Sequence, residues 1–330
     1  MFVGLDDDKK SSRPKKQMPA RFRNQKNESF GFGSKSNPNE FSNATMSKLT
    51  KSFQNISLPT IKQALDTGKF NLSSKKLTEI PEFIFDINAE IPQGIRDLDP
   101  DYMWYNSQII TQINLAYNNL TSISCKISQI QDLTHLDLTD NLLTELPDEF
   151  HMFKNLTTIN FSHNKIRKLP KSLTEACPTL SYLHLQQNEI SGNLTVPDLP
   201  HARELNLSGN KLHSVTIQSA PNLIKLNITD NQLEHFCIEH APKLSELALE
   251  RNSLKSVQGT ENLGSVVMMY LDQNRLEHLP MGLDQMKNLS KLTICNNRIA
   301  NLPNPLMGSL PESLNTLDLS ENRLQALRIF

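Results

Sequence analysis

Glycine is scarce in this sequence, at 11 residues in 330, and none falls in a GxxxxGK or GxGxxG array. That excludes the glycine-rich loops that cradle phosphates in nucleotide-binding enzymes. No HExxH, GxSxG or CxxC occurs, which removes the usual signatures of zinc hydrolases, α/β-hydrolase nucleophiles and thiol redox centres. The four cysteines, Cys125, Cys177, Cys237 and Cys295, lie far apart, as suits reduced thiols in an intracellular protein. No apolar run approaches the roughly 18–20 residues needed to cross a bilayer. Met1 to Leu5, followed at once by Asp6-Asp7-Asp8-Lys9-Lys10, is too short for the apolar core of a secretory signal. Hydrophobic residues make up 37% of the chain, a deficit that one unstructured segment explains.

The formal net charge of -1 hides an asymmetry. Residues 1–51 hold 11 Lys/Arg against 5 Asp/Glu, and the remainder holds 23 basic against 30 acidic residues. A basic tail is thus joined to an acidic body. The tail is poor in apolar side chains, and residues 1–57 are expected to be disordered. Within it, Lys9-Lys10-Ser11-Ser12-Arg13-Pro14-Lys15-Lys16 has the character of a nuclear import or phosphorylation-controlled segment. The uniformly acidic body argues against nucleic acid and against membrane surfaces as partners.

What the chain does have is a period. Aligned on asparagine, ten copies of L-x-x-L-x-L-x-x-N-x-L appear, with apolar substitutions. The asparagines are Asn118, Asn141, Asn164, Asn188, Asn210, Asn231, Asn252, Asn274, Asn297 and Asn322, at intervals of 21 to 25 residues. In the cleanest copy Leu136 and Leu138 alternate with His135, Asp137 and Thr139, the signature of a half-buried strand. One coil cannot bury its leucines alone, so successive coils stack and their strands form a parallel sheet. Each buried Leu or Ile contributes roughly 1.5–3 kcal/mol, provided that stacking is unbroken. An asparagine amide carries both donors and acceptors, so a stacked row of them satisfies backbone groups where each coil leaves its strand. These ten residues read as structural. The motif is that of leucine-rich repeats. The resemblance implies an α/β fold: a solenoid with a curved parallel sheet on the concave side, a mixed helical and extended convex side, and a disordered N-terminal tail.

Residues 58–80 are expected to be an N-terminal cap with a degenerate first repeat, Lys75 standing in the asparagine slot, and residues 81–109 an irregular insertion bearing Trp104. The ten repeats then occupy 110–330. The chain stops at Phe330 with no recognisable cap, which suggests a truncated product. Leu146-Pro147, Leu169-Pro170, Leu279-Pro280 and Leu302-Pro303 mark turns onto the convex side. In the centre, Leu212-x-x-Val215-x-Ile217 and Leu233-x-x-Phe236-x-Ile238 alternate as extended limbs do, predicting a thinner, flatter middle.

Residues 60–118 resemble one family in particular, leucine-rich repeat-containing protein 40. The likeness rests on Ala64-Leu65-x-x-Gly68-x-x-Asn71-Leu72-Ser73, on Glu79-Ile80-Pro81 and on Ile87-Asn88-x-x-Ile91-Pro92, followed by a Trp-bearing spacer. It implies a soluble cytoplasmic or nuclear protein without catalytic residues.

His135, His163 and His184 fall in consecutive coils but in different positions, so no metal site is expected; nor is a cofactor or a small-molecule substrate. The candidate site is instead the concave face, where two groups of side chains stand out. One is Tyr182, His184 and Gln186, flanked by Asn160 and Glu204. The other is Glu246, Glu250, Arg251, Met268, Tyr270 and Asp272. Tyr, Met and Arg are favoured at interfaces, and the net acidity of this face predicts protein partners with a basic patch. The expected function is a non-catalytic intracellular scaffold in signalling or assembly. The alternatives are a regulatory subunit of a protein phosphatase and the recognition region of a longer repeat-bearing enzyme.

Overall fold

The computed structural model describes residues 56–89, 107–170, 179–303 and 310–324. It opens on one α-helix, α1 (Leu58–Thr67). Ser57 caps its N-terminus, Pro59 lies in its first turn, and Gly68 ends it in the left-handed conformation at φ 72, donating to the Ala64 carbonyl. Ile61, Ala64 and Leu65 form its buried stripe. The predicted tail, 1–57, lies outside the described residues except at its end. There its boundary needs correcting, because Ile56 is buried and Ser57 belongs to the helix cap.

Eleven short strands then stack into one parallel sheet: β1 (Lys69–Asn71), β2 (Gln112–Asn114), β3 (His135–Asp137), β4 (Thr158–Asn160), β5 (Tyr182–His184), β7 (Glu204–Asn206), β9 (Lys225–Asn227), β11 (Glu246–Ala248), β12 (Met268–Tyr270), β13 (Lys291–Thr293) and β14 (Thr316–Asp318). Each is three residues long because only the centre of the triplet points inward; in β3, Leu136 is buried between His135 and Asp137. The degenerate unit pairs in register with the first full repeat, Phe70 against Ile113.

On the convex side three strands form a second parallel sheet: β6 (Ser191–Asp198), β8 (Lys211–Ser219) and β10 (His235–Ile238). The extended limbs predicted for two coils are thus present in three. Outside this stretch the described convex limbs turn through short 3-10 helices, such as Cys125–Gln129 and Asp148–Met152. The first part of the predicted insertion has regular structure too. Glu82–Ile84 is a 3-10 turn, Ile84, Phe85 and Ile87 are buried, and the Asn88 amide brackets Ile110 with two hydrogen bonds (2.7 and 3.0 Å). Trp104 and its aromatic neighbours lie outside the described residues. Beyond β10 the convex sheet continues only as a single bridge, Cys237 to Gln258, and a largely apolar cavity of about 860 Å³ opens beside Met281.

The ten asparagines form one ladder. Asn164 is typical: its Nδ2 donates to the Phe161 and Ser162 carbonyls of its own coil and to Leu138 of the coil before, while its Oδ1 accepts from Leu143 N–H (2.9–3.1 Å). The residue before each asparagine has a positive φ, and nine of the ten are not glycine: Tyr117, Asp140, His163, Gln187, Asp230, Arg251, Gln273, Asn296 and Glu321, with Gly209 the tenth. That conformation turns the chain out of its strand and aims an N–H at the next coil, as Asp140 N–H reaches the Ser162 carbonyl (3.0 Å). Asn118 accepts from both Lys75 and Leu77 (3.0 Å each). The ladder amides reach backward, and among the described residues no coil precedes β1; a lysine is therefore tolerated in the first asparagine slot.

Replacing Asn164 by Leu leaves the buried Leu143 N–H unpaired and strips one of two donors from each of the Leu138, Phe161 and Ser162 carbonyls, at an expected cost of about 2–4 kcal/mol in urea unfolding. Asn322→Leu, where the amide is part-exposed to water, is expected to cost only about 1 kcal/mol. Two glycines allow a second comparison. A Cβ on Gly259 (φ 79) would be driven into the Ile238 carbonyl oxygen, whereas one on Gly192 (φ 82) meets nothing within 4 Å. Gly192→Ala should cost about 1 kcal/mol and Gly259→Ala about 2–3 kcal/mol more, measured by thermal or urea unfolding.

Candidate functional site

The concave face is built from alternate residues of the eleven-stranded sheet. The last residue of a strand is Asn or Asp in most coils, and there the fold itself consumes the side chain. Asn160 Oδ1 accepts from Ser162 N–H and Oγ–H (3.0 and 2.7 Å), and Asp137 and Asn206 do the same with Thr139 and Ser208. The signal for these turns is in the sequence, as recurring Asn/Asp-x-Ser/Thr triplets, though they do not announce their role there.

The row lapses at His184 and again at Ala248, Tyr270 and Thr293. The coils of His184, Ala248 and Tyr270 carry the two candidate groups. In the first group Tyr182 is exposed, and His184 Nδ1 lies 3.9 Å from Glu204 Oε1 on the neighbouring strand. Gln186 Oε1 is buried without a hydrogen-bond partner. A cavity of about 420 Å³ extends from His184 toward the N-terminal coils, lined by Asn160, Thr158, His135 and Gln112.

The second group sits three strands along, about 14 Å away. Glu246 lies beside Met268 and Ala248 beside Tyr270. Glu246 pairs with Lys225 (3.2 Å), and Tyr270 Oη–H points at Met268 Sδ (3.2 Å). Asp272 accepts from Thr293 Oγ1 (2.6 Å) and Cys295 N–H (2.7 Å), holding together a coil that lacks its own Asn or Asp turn. Arg251 stands in the left-handed turn that leaves the strand, where it pairs with Asp230 (2.7 Å) and its charge reaches the Glu250 carboxyl. Sequence reasoning missed Lys291, whose ammonium stands 5.1 Å above the Tyr270 ring. The two lie 21 residues apart, and only the stacking of coils brings them together.

Glu250 is electrostatically the least ordinary residue of the face. Burial holds its carboxyl above the usual carboxylate range, reinforced by Asp272 and Asp230 and opposed by its own backbone N–H and by Arg251. Its Oε2 is buried without a hydrogen-bond partner. Among the described residues no three His, Cys, Asp or Glu side chains converge as metal ligands would, and no helix is long and apolar enough to cross a membrane.

The leucine rich repeat family profile matches residues 110–166, 131–190 and 154–212. The fold is a leucine-rich-repeat solenoid. Similar solved structures include the leucine-rich-repeat protein LIC12759 of Leptospira interrogans, 22% identical over 82% of this chain and 77% of that one, at a TM-score of 0.52. YopM, a leucine-rich effector of Yersinia pestis, is 20% identical over 84% of this chain and 76% of its own, at a TM-score of 0.59. The LRIM1/APL1C complex is 25% identical over 66% of this chain and 40% of that one, at a TM-score of 0.56. No curated protein sequence matches the chain. In this leucine-rich-repeat frame, the concave strands form a platform whose side chains are presented by backbone already fixed in a sheet.

The raised Glu250 carboxyl carries a sign. A group that holds its proton more tightly when folded costs stability as pH rises from its unfolded toward its folded pKa. Glu250→Gln is therefore expected to raise the melting temperature at pH 7 by about 1–2 °C, an effect kept small by solvent screening. The gain should vanish below about pH 4, where both forms are neutral.

Proposed function

We propose that this chain is a non-catalytic intracellular scaffold, cytoplasmic or nuclear, that binds protein partners through the concave face in signalling or assembly. One observation carries the reading. The two buried side-chain oxygens left unpartnered among the described residues, on Gln186 and Glu250, fall one in each candidate group. A buried polar atom without a partner costs the fold free energy, and a partner's donor seated on the face recovers it. Glu250 lies near Asp272 and Asp230, with Arg251 already paired to Asp230, and calls for a further Lys or Arg. The partner is accordingly a protein with a basic patch. Tyr182, Met268 and Tyr270 supply apolar contact area at low ordering cost.

Two likenesses support this reading. One similar solenoid was solved as the LRIM1/APL1C complex. The resemblance of residues 60–118 to leucine-rich repeat-containing protein 40 agrees with an intracellular repeat protein that has no catalytic residues.

Proximity labelling with the wild-type chain and with Tyr182→Ala/Tyr270→Ala tests the reading. Partners bearing basic surface segments should fall at least about tenfold in the double variant, while its melting temperature stays within a few degrees of wild type. A partner list that does not change removes the concave face as the binding site.

A further inference from the structure

The residue after each ladder asparagine forms a row down one edge of the solenoid. Its N–H donates to a carbonyl of the preceding coil: Arg275 to Leu254 (2.9 Å), Arg298 to Leu276 (2.8 Å) and Arg323 to Ile299 (2.9 Å). In the N-terminal half of the row charges alternate in sign, as Lys165, Glu189 and Lys211. Neutral Gln232 and Ser253 follow, and then three arginines on three successive coils, all exposed. Like charges side by side on neighbouring strands repel.

Elsewhere, four basic side chains find an acid on a neighbouring coil. Arg167 pairs with Glu189 (3.3 Å), Lys225 with Glu246 (3.2 Å), Arg251 with Asp230 (2.7 Å) and Lys126 with Glu82 (2.6 Å). Among the described residues Arg275, Arg298 and Arg323 have no such partner. The acidic residues closest to them in sequence, Glu277 and Glu321, are exposed too and make no ion pair with them. Three adjacent, unpaired guanidiniums on a rigid edge are a repulsive arrangement that the fold does not need, and a bound anion would relieve it.

We propose that Arg275, Arg298 and Arg323 are a docking edge for an extended acidic peptide segment, laid across the coils with carboxylates or phosphates on alternate residues. Coils stack about 4.8 Å apart, so the three arginines span about 10 Å. Three alternate side chains of an extended strand span about 13 Å, and the flexible arginine stems cover the difference. Each planar guanidinium takes a carboxylate or phosphate through two parallel hydrogen bonds. Nucleic acid fits less well. Its continuous backbone charge would run against Glu277 and Glu321. Among the described residues the exposed aromatic side chains, Tyr117 and Tyr182, stand on distant coils and offer no stacking platform beside the row. This edge takes a partner opposite in charge to the one proposed for the concave face, so either site can fail without the other.

Fluorescence anisotropy of the full chain tests the proposal at low salt, where charge contacts are least screened. The probes are labelled decapeptides with phosphoserine, glutamate or serine at alternate positions, and a ten-residue oligothymidylate. The two acidic peptides should bind and the serine peptide should not; the tighter of the acidic pair identifies phosphate or carboxylate as the preferred group. Arg275→Gln/Arg298→Gln/Arg323→Gln should weaken binding by about tenfold or more. Lys165→Gln/Lys211→Gln, on the same row, should change it by less than about twofold. Among the described residues the three arginine side chains make no hydrogen bond or ion pair, so the triple variant should melt no lower than wild type. Undiminished binding by the triple variant, no binding of either acidic peptide, or tighter binding of oligothymidylate would each overturn the proposal.

Discussion

The asparagine amide that spans two coils is the interaction on which this solenoid depends. Burial of leucine and isoleucine supplies most of the favourable free energy, but it is non-directional and fixes neither the spacing nor the register of coils. Asn164 does both, because its amide is hydrogen-bonded at once to its own turn and to the turn before. The same amides make the left-handed turns tolerable. Before the ladder asparagines, nine non-glycine residues adopt positive φ, a conformation that costs an L-residue about 1 kcal/mol or more. Several buried hydrogen bonds per coil offset that cost.

Stability and recognition divide along the concave strands. Where the strand ends in Asn or Asp, as at Asn160 or Asp137, the side chain closes its own turn and is unavailable to a partner. Where it ends in His184, Ala248, Tyr270 or Thr293, that duty lapses, or passes to Asp272 from the neighbouring coil. A face of mostly self-satisfied polar groups thus carries two places that are not, and the buried unpaired oxygens of Gln186 and Glu250 lie there. Because the strands are anchored on both sides in one sheet, presenting these residues costs little further order.

Much of this architecture is legible in the amino-acid sequence. The interval of the asparagines and the alternation around Leu136 and Leu138 point to stacked strands, and Val215 and Ile217 point to an extended convex limb. The limb β6 is hidden there by a single extra residue. Leu194 and Val196 stand one place further from Asn188 than Val215 and Ile217 do from Asn210, and the two strands come into step through a slip at Gly192/Asn193, where β8 carries the additional residue. The helical character of the other convex limbs is legible, but not that the described ones are 3-10 turns; periodicity over so few residues does not separate helix types. On the concave face, alternation is enough to place Tyr182, His184, Met268 and Tyr270, but it does not show that Arg251 pairs with Asp230 of the coil before.

The period, the inward leucines and the asparagine ladder can all be read from the amino-acid chain alone, because each is set by spacing within one coil or its repetition. Which side chains meet across coils depends on the folded solenoid: Lys291 with Tyr270, Glu246 with Lys225, and three arginines that find no acid among the described residues. Those pairs are about 20 residues apart in the chain and one strand spacing apart in space. Whether a neighbouring coil supplies an opposite charge, a hydroxyl or nothing depends on register, which no single coil encodes.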